Sequence, residues 1–394
     1  ATEWEEKSWD WAMAEIAKRV KKTRDESFVR TVKVGNTEVQ VNRTEGIAWL
    51  GGAANNNEDC YLAGKLMRSL GVVYLEHQAR VCHSSTVAGL GPSFGRGAMT
   101  NDWVDLKNAD VIFIFGANPA SNHPATFRWI NDARERGAKL VVVDPAYTRS
   151  AATADIYAPI RPGTNIAFLG GIVNYAIQNK LYNEEYVKTY TNALTLVNPN
   201  FKGPADLDGY FSGYNPATRT YDRSTWQYQT EKIKVMEKDA TGKDIEKEVS
   251  VIKQATSLDD PNCVFAHLKK HYARYTPEMV ERVCGTPKDK FLEVAKTYCA
   301  TGAPDKSGTI LYAMGQTQGS VGTQNVRMMA MVQLLLGNIG VPGGGVNAMR
   351  GESNVQGSTD MALLFQDLPG YLGLPTDGHP DFKAYAAKFD KTSY

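Results

Sequence analysis

Val111-Ile112-Phe113-Ile114-Phe115-Gly116-Ala117-Asn118-Pro119, answered downstream by Leu140-Val141-Val142-Val143-Asp144-Pro145, decides the fold class. Both stretches open with a short, unbroken apolar run. A strand with one wet face alternates apolar and polar residues, whereas a run without alternation suits a parallel sheet covered on both faces. Residues 124–136 between them read as a helix, with Gly137 as a left-handed cap. The order strand, turn, helix, strand predicts an α/β fold: Rossmann-like parallel sheets with helices on both faces. Both strands stop at small polar residues, at the edge where open α/β sheets take their ligands.

Working outward, residues 46–52, 58–70 and 72–76 read as another strand, helix and strand. Before them, 3–27 predicts a helix, with Trp9, Trp11, Ala12, Ile16 and Val20 near helical spacing, and 29–43 predicts a polar hairpin through Gly35-Asn36-Thr37. Gly163-Thr164-Asn165 carries the N-cap signature of a helix over 166–179. Helices are expected over 262–274, 277–300 and 322–336, and a buried strand over 309–315. Residues 194–262 are rich in Gly, Asn, Tyr, Asp and Lys and predict a surface excursion with little core. The last twenty residues turn polar, with no evident packing element. The expected domains are 1–78 plus 352–394, a discontinuous α/β domain, and 79–351, an α/β cofactor-binding domain carrying that polar insertion.

Composition limits the partners. The 394 residues carry 44 basic and 43 acidic side chains, a formal net charge of +1, so no basic excess points to nucleic acid. No apolar run approaches the roughly 18–20 residues that span a bilayer. The five cysteines (60, 82, 263, 284 and 299) include no C-x-x-C, which disfavours a zinc ribbon, a disulfide framework or an iron–sulfur cluster held within these residues. Four of them read as small buried hydrophobes.

Cys82 is the exception, because His83 follows it in Gln78-Ala79-Arg80-Val81-Cys82-His83-Ser84-Ser85, with Gly95-Arg96-Gly97-Ala98-Met99-Thr100-Asn101 shortly after. A thiolate is a natural ligand for a soft metal centre, and an imidazole beside it can take a proton near neutral pH. No G-x-G-x-x-G opens a helix after a strand, and no P-loop is present, so a nicotinamide site is not supported. Instead several turns place Asn, Gln, Thr and Asp beside glycine. Such turns suit a large, flat, hydrogen-bonding ligand with an anionic pyrophosphate. A cysteine hydrolase is a competing reading. Adjacent side chains of an extended segment point to opposite faces, which would place His83 poorly to activate Cys82.

Residues 79–83, 95–101, Asp144-Pro145, Tyr312-Ala313-Met314-Gly315 and 347–357 resemble, in order and spacing, the catalytic subunit of molybdenum- or tungsten-dependent formate dehydrogenases of the molybdopterin oxidoreductase family. The resemblance runs from about residue 3 to 370 and implies two interleaved α/β domains of that family's type. It implies a bis-molybdopterin guanine dinucleotide cofactor carrying Mo or W. Cys82 would ligate the metal, at a position that many relatives fill with selenocysteine. His83 would take the proton released from formate, and Arg350 would hold the formate carboxylate, as a guanidinium can through paired charge-assisted hydrogen bonds.

Cofactor contacts implied in the same way are Gly116, Asn118, Asp144, Gly163, Thr164, Met314, Gly315, Gln318, Asn354 and Gln356. Relatives usually read Asp-Pro-Arg where Asp144-Pro145-Ala146 stands, with Arg149 as a candidate replacement, and often Trp-Thr-Gln-His where Gln316-Thr317-Gln318-Gly319 stands. Glu352 occupies a position that is uncharged in many of them. The family places a [4Fe-4S] segment before these residues and a further cofactor-binding domain after them, so the sequence is expected to be a piece of a longer subunit, the alternative being a split protein whose other pieces are separate chains. The cluster would lie in a preceding segment or a partner chain. The implied partners are formate and CO2 and an iron–sulfur electron-transfer subunit, with no nucleic acid and no membrane span in this chain. The implied location is the periplasm, the cytoplasm being the alternative. Two other readings compete: another enzyme of the family, such as a nitrate reductase, or a non-catalytic structural relative in an electron-transfer complex.

Overall fold

The computed structural model describes residues 3–238, 242–376, 378–379 and 381–388. They fall into two compact units, Ala1–Ser84 with Arg350–Tyr394, and Ser85–Met349.

In the first unit the helix Trp9–Ser27 starts at an N-cap, Ser8, and is shorter at its front than the expected 3–27. None of its residues is buried, and Trp9 is 83% exposed. Strands β1 (Phe28–Val34) and β2 (Thr37–Gly51) form the expected hairpin, Val34 facing Thr37 across the Gly35-Asn36 turn. β2 runs unbroken into the segment expected as a separate strand, because one antiparallel and one parallel partner use its two ends. The helix Asn57–Ser69 then crosses over to β3 (Val72–His77), parallel to β2. Cys60, Met67, Val72, Leu75 and Leu363 make the small core beneath that crossover. Arg68 gathers the later segment by donating from Nη2 to the carbonyls of Ala362, Leu364 and Asp367, at 3.4, 3.3 and 2.6 Å.

The second unit is built on a five-stranded parallel sheet. Its strands are β4 (Val111–Phe115), β5 (Lys139–Val143), β6 (Ile156–Ala158), β9 (Gly308–Tyr312) and β10 (Val346–Ala348), in the order β10-β9-β4-β5-β6. All neighbours are parallel. The remaining labels, β7 (Thr230–Lys238) and β8 (Asp244–Ile252), belong to an antiparallel ribbon in the polar excursion, exposed along most of its length.

The apolar runs read as expected. Phe113, Phe115, Val141 and Val143 pack on one face of the sheet with Phe168, Phe291 and Val326. Ile112, Ile114, Leu140 and Val142 pack on the other with Ile130 and Ala133. Burying such side chains is worth about 1.5–3 kcal/mol each, which is why no polar residue interrupts these strands.

Two local expectations fail. The helix expected over 277–300 is two helices, Pro277–Cys284 and Lys288–Cys299. Gly285 adopts φ 69° and Pro287 follows, and a left-handed residue with a proline behind it cannot continue a helix. The segment around Cys82 is not extended but helical, as Ala79–Cys82 and Ser84–Phe94.

Candidate active site

In the first unit, β3 ends at His77 and the chain turns directly into the helix Ala79–Cys82. The Cys82 and His83 amides donate back to Gln78 and Ala79, each at 3.1 Å, so the pair sits at the end of one helical turn. The segment is helical, so strand-like alternation does not separate Cys82 from His83. Burial is what speaks against a hydrolase. Cys82 is 7% exposed and His83 1%. Burial pushes the Cys82 thiol above its ordinary range, the Arg350 guanidinium pulls it back, and the Glu352 carboxylate pushes it up again. A nucleophilic cysteine needs the opposite shift.

Arg350 therefore lies within electrostatic reach of Cys82, although it stands 268 positions later in the sequence. The segment after Arg350 is fixed by Asn354. Its amide donates to the Ala53 carbonyl at 3.0 Å, and its side-chain nitrogen donates to Asn55 O and Asn57 Oδ1 at 2.8 and 2.9 Å. Asn354 is thus engaged in holding a loop. Gln356 is exposed, on the helix Val355–Asp360.

The other expected contact residues belong to the second unit and follow the C-terminal ends of its strands. The strand order reverses between β4 and β9, which makes their two turns the switch point of the sheet. Gly116 ends β4 with φ 65°, and Gly315 follows β9. The Gly315 amide donates to the Gly116 carbonyl at 3.1 Å, and a Cβ on Gly315 would stand 2.6 Å from that oxygen. Only glycine permits this approach. Met314 is 41% exposed, and Gln318 is exposed as well.

Asp144 follows β5. Burial raises its carboxyl, partly offset by the Ala146 amide, which donates to Oδ1 at 2.9 Å. Arg149, the candidate replacement for the missing basic residue, is exposed at the start of the helix Arg149–Ala152. Gly163 has φ 82° and open space where a side chain would be, while the Thr164 hydroxyl donates to Arg161 O at 2.7 Å. Asn118 is occupied within the fold: its Oδ1 accepts from the Ser150 amide and hydroxyl at 3.2 and 2.8 Å, and its Nδ2 donates to Ser121 at 3.0 Å.

Sequence reasoning missed a buried amide cluster beside this crevice. Gln316, 1% exposed, accepts at Oε1 from Asn165 Nδ2 at 3.1 Å, and its carbonyl accepts from Asn325 Nδ2 at 3.0 Å. Asn325 Oδ1 is buried with no partner among the described residues. The signal was the Gln316 departure from the family pattern. A polar residue standing where relatives have tryptophan needs a partner, and Asn165 supplies it.

A family model, molybdopterin oxidoreductase, matches residues 1–384, so the chain belongs to that family. Among curated proteins it is 50% identical over 391 residues to the formate dehydrogenase subunit alpha of Megalodesulfovibrio gigas, covering 99% of this chain and 36% of that protein. It is 47% identical over 383 residues to the formate dehydrogenase-O major subunit of Escherichia coli, covering 97% and 36%. The chain thus spans about a third of the length of these relatives. Among solved structures, acetylene hydratase from Pelobacter acetylenicus superposes with a TM-score of 0.53 at 18% identity, covering 88% of this chain and 35% of that one, a likeness of fold.

The family implies a molybdopterin cofactor with molybdenum or tungsten, and the donor set fits one. Among the described residues no group of three or more His, Cys, Asp or Glu converges as a metal-ligand set. A soft metal beside the buried Cys82 thiol would favour its thiolate form. No helix of the described residues is long and apolar enough to cross a membrane.

Proposed function

We propose that this chain is part of the catalytic subunit of a formate dehydrogenase, oxidising formate to CO2 at a bis-molybdopterin guanine dinucleotide centre of molybdenum or tungsten. The observation that carries the reading is that Cys82 and His83 are buried in the same compact unit as Arg350, whose charge reaches the thiol. When bound, the cofactor supplies the acceptor for the two electrons that leave formate. Cys82 would hold the metal through its sulfur. Arg350 binds the formate carboxylate through paired N–H donors and orients its C–H bond. His83 receives the proton at Nε2, an atom shut off from solvent, so that CO2, one proton and two electrons leave the site.

The Ser85–Met349 unit is read as the cofactor-binding domain, with Gly116, Asp144, Gly163, Met314, Gly315 and Gln318 facing the ligand edge of its sheet. Asn118, Thr164 and Asn354 act one step back, by holding the turns. A [4Fe-4S] cluster, in a preceding segment or a partner chain, and an iron–sulfur subunit would carry the electrons onward. The reading expects the periplasm, which fractionation of the source cells checks.

The deciding experiment measures metal, guanine nucleotide and formate-dependent dye reduction in the purified protein. Arg350→Ala is expected to lose at least about 100-fold in kcat/KM for formate, the scale of a lost orienting contact, with metal content retained. Nitrate reduction without formate oxidation would favour the other enzyme class, and absence of metal and nucleotide the structural relative.

A further inference from the structure

His77 belongs to none of the motifs that carry the family likeness, yet it is only 3% exposed and both of its ring nitrogens are engaged. Nδ1 accepts from the Ala79 amide at 3.3 Å, at the first residue of the helical turn that ends in Cys82. Nε2 lies 3.2 Å from Thr359 Oγ1, and that hydroxyl donates onward to the Val355 carbonyl at 2.9 Å. The chain of donors fixes the tautomer. Nδ1 accepts, so Nε2 carries the hydrogen, and the hydroxyl receives it while giving its own proton to Val355.

Burial holds the His77 pKa below the usual histidine value, with Arg80 acting in the same direction and Glu76 opposing, which keeps Nδ1 an acceptor at neutral pH. Thr359 lies on the helix Val355–Asp360, just downstream of Arg350. Ala53, Ala79 and Val355 form an apolar contact between the same segments.

We propose that His77 is a positioning residue: its imidazole bridges the turn presenting Cys82 and His83 to the helix that follows Arg350, and so sets the thiol against the guanidinium. The inference rests on the roles proposed above for Cys82 and Arg350. Its physical basis is that sub-ångström placement of an orienting group governs rate, whereas metal retention depends on the sulfur and the cofactor.

The test compares cofactor-loaded full-length variants. His77→Leu removes both bonds and is expected to lower kcat/KM for formate by roughly 10- to 100-fold, through both kcat and KM, with metal content per chain unchanged. His77→Asn places a carboxamide oxygen where Nδ1 was and keeps the Ala79 bond, and His77→Gln reaches Thr359 alone. Each is expected to recover part of the loss, and Thr359→Val to reproduce part of it. Amide hydrogen exchange at Ala79 should quicken in His77→Leu and His77→Gln but not in His77→Asn.

Wild-type kcat and KM in His77→Leu would overturn the proposal, as would activity losses that track metal loss in every variant. If His77→Leu fails to fold, the Asn, Gln and Thr359→Val variants decide by the same criteria. If the wild-type protein oxidises no formate, the functional reading falls, and Ala79 exchange alone then decides whether the bridge exists.

Discussion

The guanidinium of Arg350 draws down the thiol pKa of Cys82 against the rise that burial imposes, and Glu352, two residues beyond, acts the other way. One sulfur thus senses two opposed charges on a single short segment. In a half-dry environment such effects are larger than between solvated side chains.

Opposite responses to two neighbouring substitutions follow. Arg350→Ala should raise the Cys82 thiol pKa further, and Glu352→Gln should lower it. The pH profile of Cys82 alkylation in cofactor-free protein, mapped by mass spectrometry, reads both. Shifts of the same sign, or none, would mean that the segment does not stand over the thiol.

Gly315→Ala should be costly although it adds a single methyl group. The new Cβ would meet Gly116 O at 2.6 Å and Gly116 Cα at 2.8 Å, backbone atoms that no rotamer change moves. A penalty of about 1–3 kcal/mol in urea unfolding is expected, as for overpacked cores, together with reduced cofactor content. A variant as stable as wild type would show that the two turns separate freely.

The sheet was legible because its strands are uniformly apolar, and a strand sealed on both faces has no other composition available. The switch point was legible only as small polar residues at strand ends; which turns touch depends on the order β10-β9-β4-β5-β6, set by long-range pairing. The helix Ala79–Cys82 was not legible. Its N-terminus is held by a side chain whose other contact, Thr359, lies 282 residues away. The break at Gly285 was marked in sequence by glycine and proline, but Val280, Cys284, Phe291 and Ala295 are all buried, so an apolar period runs across it. The polar composition of 194–262 carries no sign of the ribbon, which depends on cross-strand pairs such as Lys232–Glu248 and Lys234–Glu246, at 2.8 and 2.5 Å, whose register no local pattern reveals. Of the site, Cys82, His83 and Arg350 stood out by order along the chain, but the occupation of Asn118 and Asn354 within the fold did not.

Gln333 offers a test of the polar core beneath β9 and β10. Its Nε2 donates to the carbonyls of Gly308 and Gly345 at 2.7 and 2.6 Å, and its Oε1 accepts from Tyr298 and Asn338 at 2.7 and 3.2 Å. Gln333→Leu conserves volume but strips partners from several buried groups. Each such group costs about 1–3 kcal/mol, so the variant should be among the most destabilising single changes in the unit. Denaturant unfolding with a loss under about 1 kcal/mol would indicate that water replaces the amide there.

The lowered pKa of His77 makes stability depend on pH in a definite direction. In the unfolded chain the imidazole titrates at about 6.5. In the folded protein, burial and the Arg80 charge outweigh Glu76 and hold it lower. Between the folded and unfolded values the unfolded chain binds a proton that the folded one refuses, so stability rises with pH across that window. The contribution is complete above about pH 6.5 and is lost as pH falls below it. His77→Asn cannot titrate there, so its unfolding free energy should fall less steeply from pH 7 to pH 5 than that of the wild type. Parallel profiles for the two proteins would mean that the folded imidazole accepts a proton as readily as the unfolded one, and the neutral bridge between Ala79 and Thr359 could not then be the dominant state.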